Sequence, residues 1–256
     1  VELVEQALAH KTDEVLDNVQ TMTVGTGFEE LGVGTETDKT RAFLKIQEGC
    51  NQYCTYCIIP YARGPLRSRS LESIKEEVAK LVAAGYKEVV LIGIHLGCYG
   101  KERAAQGLSK LTLCDAVRAA LSVEGIQRLR LGSLESVEVD PELLKLMQED
   151  RRLCRHLHLP LQSGCDKVLK AMHRPYDTEK FRNLLAEIRS VLPDVAITTD
   201  VIVGFPGETE EEFAETCEFV DKVMFYETHI FKYSKRISLC AYKILSIYDS
   251  NFIKLC

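Results

Sequence analysis

Three features of the chain predict an α/β fold on a parallel sheet. Six strand-like runs are rich in β-branched or alternating apolar residues, amphipathic helical stretches lie between them, and polar or glycine-rich residues follow the strand ends. Strands that alternate with helices form βαβ units with right-handed crossovers. Six such units are too few to close an eight-fold barrel, so the sheet is either open or curled into a partial barrel. In both cases chemistry collects at the C-terminal ends of the strands.

Residues 1–17 place Leu3, Val4, Ala7, Leu8, Val15 and Leu16 among charges and read as the end of an amphipathic helix; 18–39 turns to Thr, Gly and Glu and reads as a linker. The strand-like runs are 41–47, 88–93, 126–132, 156–161, 195–203 and 226–233. A helix over 71–84 carries Leu71, Ile74, Val78, Leu81 and Val82 on one face, with Ser70 as N-cap and Gly85 as terminator. Asp140-Pro141 opens another helix, whose Leu143, Leu144 and Met147 face inward. Asp177 caps a third, with the stripe Phe181, Leu184, Leu185 and Ile188, and Thr209 with Glu212 forms a capping box for a fourth. The expected division is 1–40 for the helical remnant and linker, 41–236 for the main domain and 237–256 for an atypical tail.

A chain of 256 residues has room for one sizeable α/β domain. Its net charge of -6 gives no global electrostatic case for nucleic acid, so any RNA contact comes from local patches such as Arg63, Arg67 and Arg69. Ten cysteines are too sparse for a disulfide scaffold. Without a leader-like start, a reducing, cytoplasmic location is expected. Lys243, Asp249 and Lys254 break up the apolar tail too often for a membrane span, so no membrane partner is expected.

Three cysteines crowd into one loop, Cys50-Asn51-Gln52-Tyr53-Cys54-Thr55-Tyr56-Cys57, spaced C-x3-C-x2-C after the first strand. Thiolates at that spacing bind zinc or an iron–sulfur cluster. A closed structural zinc site wants four ligands, and no second Cys or His pair of such spacing is nearby. Three ligands suit a [4Fe–4S] cluster with one iron left open for a small molecule. Past the other strand ends lie His95, Ser133 and Glu135, Gln162 and Ser163, Gly204 to Glu208, and Tyr233 to Arg236. Cys98, Cys114, Cys154, Cys165, Cys217, Cys240 and Cys256 lack ligand spacing and read as small core residues, Cys217 on the apolar stripe of its helix. His95, His156 and His158 read as structural.

The cysteine loop, with Tyr56 before its last cysteine, resembles the radical S-adenosylmethionine superfamily. Longer stretches resemble its methylthiotransferases: Arg41-Ala42-Phe43-Leu44-Lys45-Ile46-Gln47-Glu48-Gly49-Cys50, Ile58-Ile59-Pro60-Tyr61-Ala62-Arg63-Gly64, His158-Leu159-Pro160-Leu161-Gln162-Ser163-Gly164, and Asp200-Val201-Ile202-Val203-Gly204-Phe205-Pro206-Gly207-Glu208. Gly93-Ile94-His95-Leu96 is most similar to the branch acting on threonylcarbamoyladenosine in tRNA. The resemblance implies a partial (βα)6 TIM-like barrel, a [4Fe–4S] cluster on Cys50, Cys54 and Cys57, and S-adenosylmethionine as co-substrate. It implies a 5′-deoxyadenosyl radical, a methylthio group placed on C2 of the modified adenine beside the anticodon, and a low-potential electron donor such as a flavodoxin or ferredoxin. Gly204, Pro206 and Gly207 would let the backbone approach the adenine. Ser133, Glu135, Gln162 and Ser163 would contact the ribose or methionine moiety.

Relatives in that family carry a second, auxiliary [4Fe–4S] cluster on an N-terminal domain and end in an RNA-binding β domain. Here no cysteine precedes Cys50, and the likeness stops after Arg236. With Val1 as first residue, the chain reads as a fragment, and it is expected to be incomplete for the full reaction. Another tRNA adenosine or a ribosomal protein as substrate, and a non-catalytic zinc protein, stand as the alternatives.

Overall fold

The computed structural model describes residues 27–30, 32 and 40–234. The helical remnant, most of the linker, Cys240, Cys256 and the tail lie outside the described residues. Among the described residues, seven strands and seven α-helices run in the order β1 (Arg41–Glu48), α1 (Ile59–Arg63), β2 (Arg67–Ser68), α2 (Leu71–Ala83), β3 (Glu88–Gly93), α3 (Leu113–Leu121), β4 (Arg128–Leu131), α4 (Pro141–Glu149), β5 (His156–His158), α5 (Asp166–Ala171), α6 (Thr178–Val191), β6 (Ala196–Val203), α7 (Glu210–Val223) and β7 (Glu227–Lys232). Three short 3-10 turns, Leu96–Cys98, Lys101–Gln106 and Ser136–Glu138, sit between them.

All six expected strands are present, and β2 is an addition, a two-residue antiparallel partner of β1 too short to show periodicity. The order is β2-β1-β3-β4 and then β5-β6-β7, with every pairing parallel except β1·β2. Between β4 and β5 the ladder thins to single bridges, Leu129 to Leu153 and Ser133 to His158. The result is a curled partial barrel with helices outside, in line with the expected TIM-like form. The fourth run is shorter than 156–161 because Pro160 cannot donate to a ladder.

The core forms because alternate strand residues point outward under the helices. Leu44 and Ile46 of β1, Val89 and Leu91 of β3, and Leu129 and Leu131 of β4 meet Ile74, Val78 and Leu81 of α2 and Val117 of α3. Arg41 and Phe43, on the opposite face of β1, stay exposed. The caps of α2, α4, α6 and α7 are those the sequence predicts: Ser70, Asp140, Asp177 and Thr209 each accept from the amide three residues on. Thr112 with Asp115 adds a capping box for α3, a helix not singled out in the sequence.

Cys217 corrects one expectation: it is exposed. The buried positions of α7 are Glu212, Thr216 and Val223, because Thr216 packs under Ser163 and Gly164 and so turns Cys217 to solvent. No helix among the described residues is long and apolar enough to cross a membrane.

Phe181 is fully buried, with ring centroids of Tyr176, Phe219 and Phe225 at 5.4, 6.4 and 6.2 Å. Phe181→Ala is expected to cost about 3–5 kcal/mol of unfolding free energy, read by urea denaturation.

Candidate cofactor site at the strand ends

The cysteine loop begins where β1 must turn away from the sheet. Gly49 sits at φ 77°, and a Cβ there would lie 2.7 Å from the Gly64 carbonyl oxygen and closer still to Pro65. Only glycine fits. The Cys50 amide donates to the Gly64 carbonyl at 3.1 Å. Gln47, fully buried, donates to the carbonyls of Glu48 and Gly49 and accepts the His95 amide at 2.7 Å. One carboxamide thus locks the end of β1 to the end of β3.

The far side of the loop is tied to the segment after α5. Thr55 donates its amide to the Met172 carbonyl at 3.2 Å and its hydroxyl to Ala171 at 2.9 Å. Arg174 is the larger anchor. It donates to Cys54 Sγ and to the Tyr56 hydroxyl, both at 3.3 Å, to the Glu135 carboxylate at 2.5 and 2.8 Å, and to the Tyr176 hydroxyl. Its side chain is 3% exposed. Sequence reasoning missed this residue: in His173-Arg174-Pro175 it reads as a surface turn, and its setting between buried Met172 and Tyr176 is visible only in the fold.

Cys50, Cys54 and Cys57 are free thiols that line one cavity of about 210 Å³ together with Tyr56, His95, Ser133, Glu135, Gln162 and Arg174. Of the sequence-derived candidates, the structure therefore gathers Ser133, Glu135 and Gln162 with the three cysteines. Ser163 is not among the lining residues: it is fully buried, and its hydroxyl bonds Thr216 and the Cys165 amide. Gly204 and Gly207 have φ of 72° and 84°, and a Cβ on either would meet nothing within 4 Å. Their glycine character follows from turn geometry, with Glu208 accepting the Gly204 and Phe205 amides, and it leaves open space in front of the backbone.

The basic run is mostly committed elsewhere. Arg69 is buried and donates to the Lys45 carbonyl, while Arg63 and Arg67 pair with Glu48. His158 bonds Thr198 and pairs with Asp200 at 3.1 Å, and His156 bonds the same threonine, which matches a structural role. His95 is different. Its Nδ1 lies 3.6 Å from Cys50 Sγ and its Nε2 3.1 Å from the Glu138 carboxylate. Burial opposes its charge, but hydrogen bonds to Cys50, Cys98 and Glu138 push it up to about 12.

Burial pushes the Cys54 thiol up, with Arg174 pulling it partly back, and burial also raises Cys57. A metal reverses that balance, since a coordinated thiol is deprotonated by the ion's own charge. Three thiols on one cavity wall, an open fourth side and an adjacent cation fit a cluster held at three irons.

Fold and site together define a strand-end cofactor pocket on an α/β half-barrel. The family model of the radical SAM superfamily matches residues 44–220, and the chain belongs to that superfamily of enzymes, whose chemistry uses a [4Fe–4S] cluster and S-adenosylmethionine. It is 47% identical over 224 residues to the threonylcarbamoyladenosine tRNA methylthiotransferase MtaB of Bacillus subtilis, covering 88% of this chain and 49% of that protein. It is 42% identical over 219 residues to the tRNA-2-methylthio-N(6)-dimethylallyladenosine synthase of Clostridium tetani, covering 84% and 48%. The chain spans about half the length of these curated relatives. Among solved structures, the methyltransferase TsrM of Kitasatospora setae aligns with TM-score 0.59 at 19% identity, over 75% of this chain and 36% of that one. HemN of Escherichia coli aligns with TM-score 0.54 at 16% identity, over 80% and 46%. These two likenesses speak for the fold alone.

Removing one partner of the buried Arg174–Glu135 pair leaves an uncompensated charge. Arg174→Met is expected to cost about 3–5 kcal/mol. The double variant with Glu135→Leu should recover part of that loss, as a double-mutant cycle in chemical denaturation will show.

Proposed function

We propose that this chain is the radical-generating core of a tRNA methylthiotransferase of the threonylcarbamoyladenosine type. The observation that carries the reading is the convergence of Cys50, Cys54 and Cys57 with Glu135, Gln162 and Arg174 on one cavity. Relatives named for that substrate support the reading: MtaB proteins of Bacillus subtilis and Thermotoga maritima are 47% and 44% identical to this chain.

In this reading the three cysteines hold the cluster, which when bound supplies the electron for reductive cleavage of S-adenosylmethionine. The protein's part is binding, orientation and exclusion of water. Glu135, held in place by the fully bonded Arg174, presents on the wall an anion suited to the ammonium group of the methionine moiety. Ser133 and Gln162 offer neutral hydrogen-bonding groups suited to ribose hydroxyls. The open backbone at Gly204 and Gly207 gives a flat approach for the adenine, with Pro206 between them rigidifying the turn. Phe205 of that turn is buried with Cys165, Val168 and Met172, and Tyr56 packs against the same cluster.

The tRNA substrate, the flavodoxin- or ferredoxin-type donor, the auxiliary cluster of the longer relatives and a cytoplasmic location belong to the same reading. A dimethylallyladenosine substrate is its nearest competitor, since relatives of that type reach 43% identity.

Anaerobic reconstitution with iron and sulfide is expected to give about four irons per chain and, with dithionite and S-adenosylmethionine, release of 5′-deoxyadenosine. Cys54→Ala should lose both. Tight zinc with no iron uptake would overturn the reading. Of two anticodon stem-loops, one with threonylcarbamoyladenosine and one with dimethylallyladenosine, the former should bind more tightly in a filter assay; the reverse order would transfer the assignment to the other class.

A further inference from the structure

We infer that His95, Cys98 and Glu138 form a second metal site, for a single Zn²⁺ ion, on the side of His95 away from the cysteine loop. One nitrogen, one sulfur and one carboxylate oxygen lie within 4.8 Å of one another. His95 Nε2 is 3.1 Å from Glu138 Oε1, Cys98 Sγ is 2.7 Å from the same oxygen, and Sγ to Nε2 is 3.8 Å. Tetrahedral zinc with bonds of about 2.0–2.3 Å spaces its donors by roughly 3.3–3.7 Å. The sulfur–oxygen edge has to open most and the nitrogen–oxygen edge slightly, while the sulfur–nitrogen edge already has the needed length.

The donor chemistry selects the ion. A thiolate beside an imidazole favours zinc over magnesium or calcium, which prefer oxygen ligands alone. His95 and Cys98 are buried, and the Glu138 side chain is 5% exposed.

Glu138 supplies the independent observation. Its Oε1 serves Cys98, His95 and Lys101 together, while its Oε2 is buried with no hydrogen-bond partner. A buried carboxylate used on one oxygen only is under-satisfied, and a cation bound by this carboxylate would supply a further charge partner. The backbone is shaped to admit the carboxylate: a Cβ on Gly97 would sit 2.6 Å from Glu138 Cβ.

Three protein ligands leave a fourth position for water, the pattern of an open rather than a closed zinc site. A cavity of about 210 Å³, lined in part by Gly97, Lys101 and Glu138, reaches the group from the Glu138 side. Lys101, whose side chain is 55% exposed, is the group the ion displaces; its ammonium can return to water. Binding also releases the Cys98 thiol proton. With Nε2 on zinc, His95 keeps its hydrogen on Nδ1, 3.6 Å from Cys50 Sγ, as ligating histidines commonly direct their second nitrogen to an acceptor.

The test uses the full chain with its iron–sulfur cluster reconstituted, incubated with zinc chloride, desalted and assayed for both metals by plasma mass spectrometry. The expected result is one zinc per chain beside the iron. Cys98→Ser and Glu138→Gln should each cut zinc retention at least tenfold at unchanged iron, with circular dichroism confirming the fold. Zinc-edge X-ray absorption on the unmodified holo-chain reads the site without any variant, and a shell of one sulfur and two or three nitrogen or oxygen atoms is expected. No zinc above the Cys98→Ser level, or a shell of three or four sulfurs, would overturn the inference. Iron uptake reports separately on the cysteine loop, so a chain that takes zinc as described but no iron would fail the functional reading and leave this one standing.

Discussion

The buried guanidinium of Arg174 is the constraint on which the site depends. It reaches the cysteine loop through Cys54 and Tyr56, the end of β4 through Glu135, and the segment after β5 through Tyr176 and the Pro160 carbonyl. A charge so placed is tolerable only because its donors find partners on nearly every side and one partner is an anion. That arrangement makes the pocket rigid before any ligand arrives. It also places a fixed positive charge against a thiol, which offsets part of the cost that burial puts on the Cys54 thiolate.

Sheet geometry supplies the room. Parallel strands β1, β3 and β4 are continuously paired, as are β5, β6 and β7, but only isolated bridges join the two halves. At that seam the Leu134 amide still donates to the His158 carbonyl at 2.9 Å, so the halves stay in register while their ends splay. Glu135, Pro160 and Gln162 line the cavity beside the splay. Gln162 itself has φ of 69°, a strained value for a residue with a side chain, and its amide and carbonyl are both bonded to β6. The strain is held in place by the sheet and turns the side chain of Gln162 toward the pocket.

Much of this was legible in the sequence because it rests on local rules. Strand alternation, the caps at Ser70, Asp140, Asp177 and Thr209, and the three-cysteine spacing are all set by neighbours within a few positions. What escaped depends on contacts across the chain. Arg174 meets Cys54 across 120 residues and Glu135 across 39, distances at which periodicity carries no information. Cys217 was misplaced for the converse reason: helical spacing puts it near the apolar stripe, and the hydroxyl of Thr216, pulled under Ser163 and Gly164, decides which way the helix rolls. Ser163 sits at a strand end like Gln162 but faces that helix, so strand-end position identifies a rim without saying which residues point into it.

His95 shows the same limit at its sharpest. Beside Cys98 alone it is an unremarkable pair, and the carboxylate that makes it a candidate ligand lies 43 residues further on, brought near by a 3-10 turn after β4. One imidazole then faces two sides, Cys50 of the cysteine loop on Nδ1 and the Cys98 and Glu138 side chains on Nε2. Gln47 fixes the backbone of His95, and contacts at both ring nitrogens hold the imidazole between Cys50 and Glu138. A change in charge on the Glu138 side is therefore felt at the Cys50 sulfur through one shared ring, since the bond made by one ring nitrogen sets where the other carries its proton.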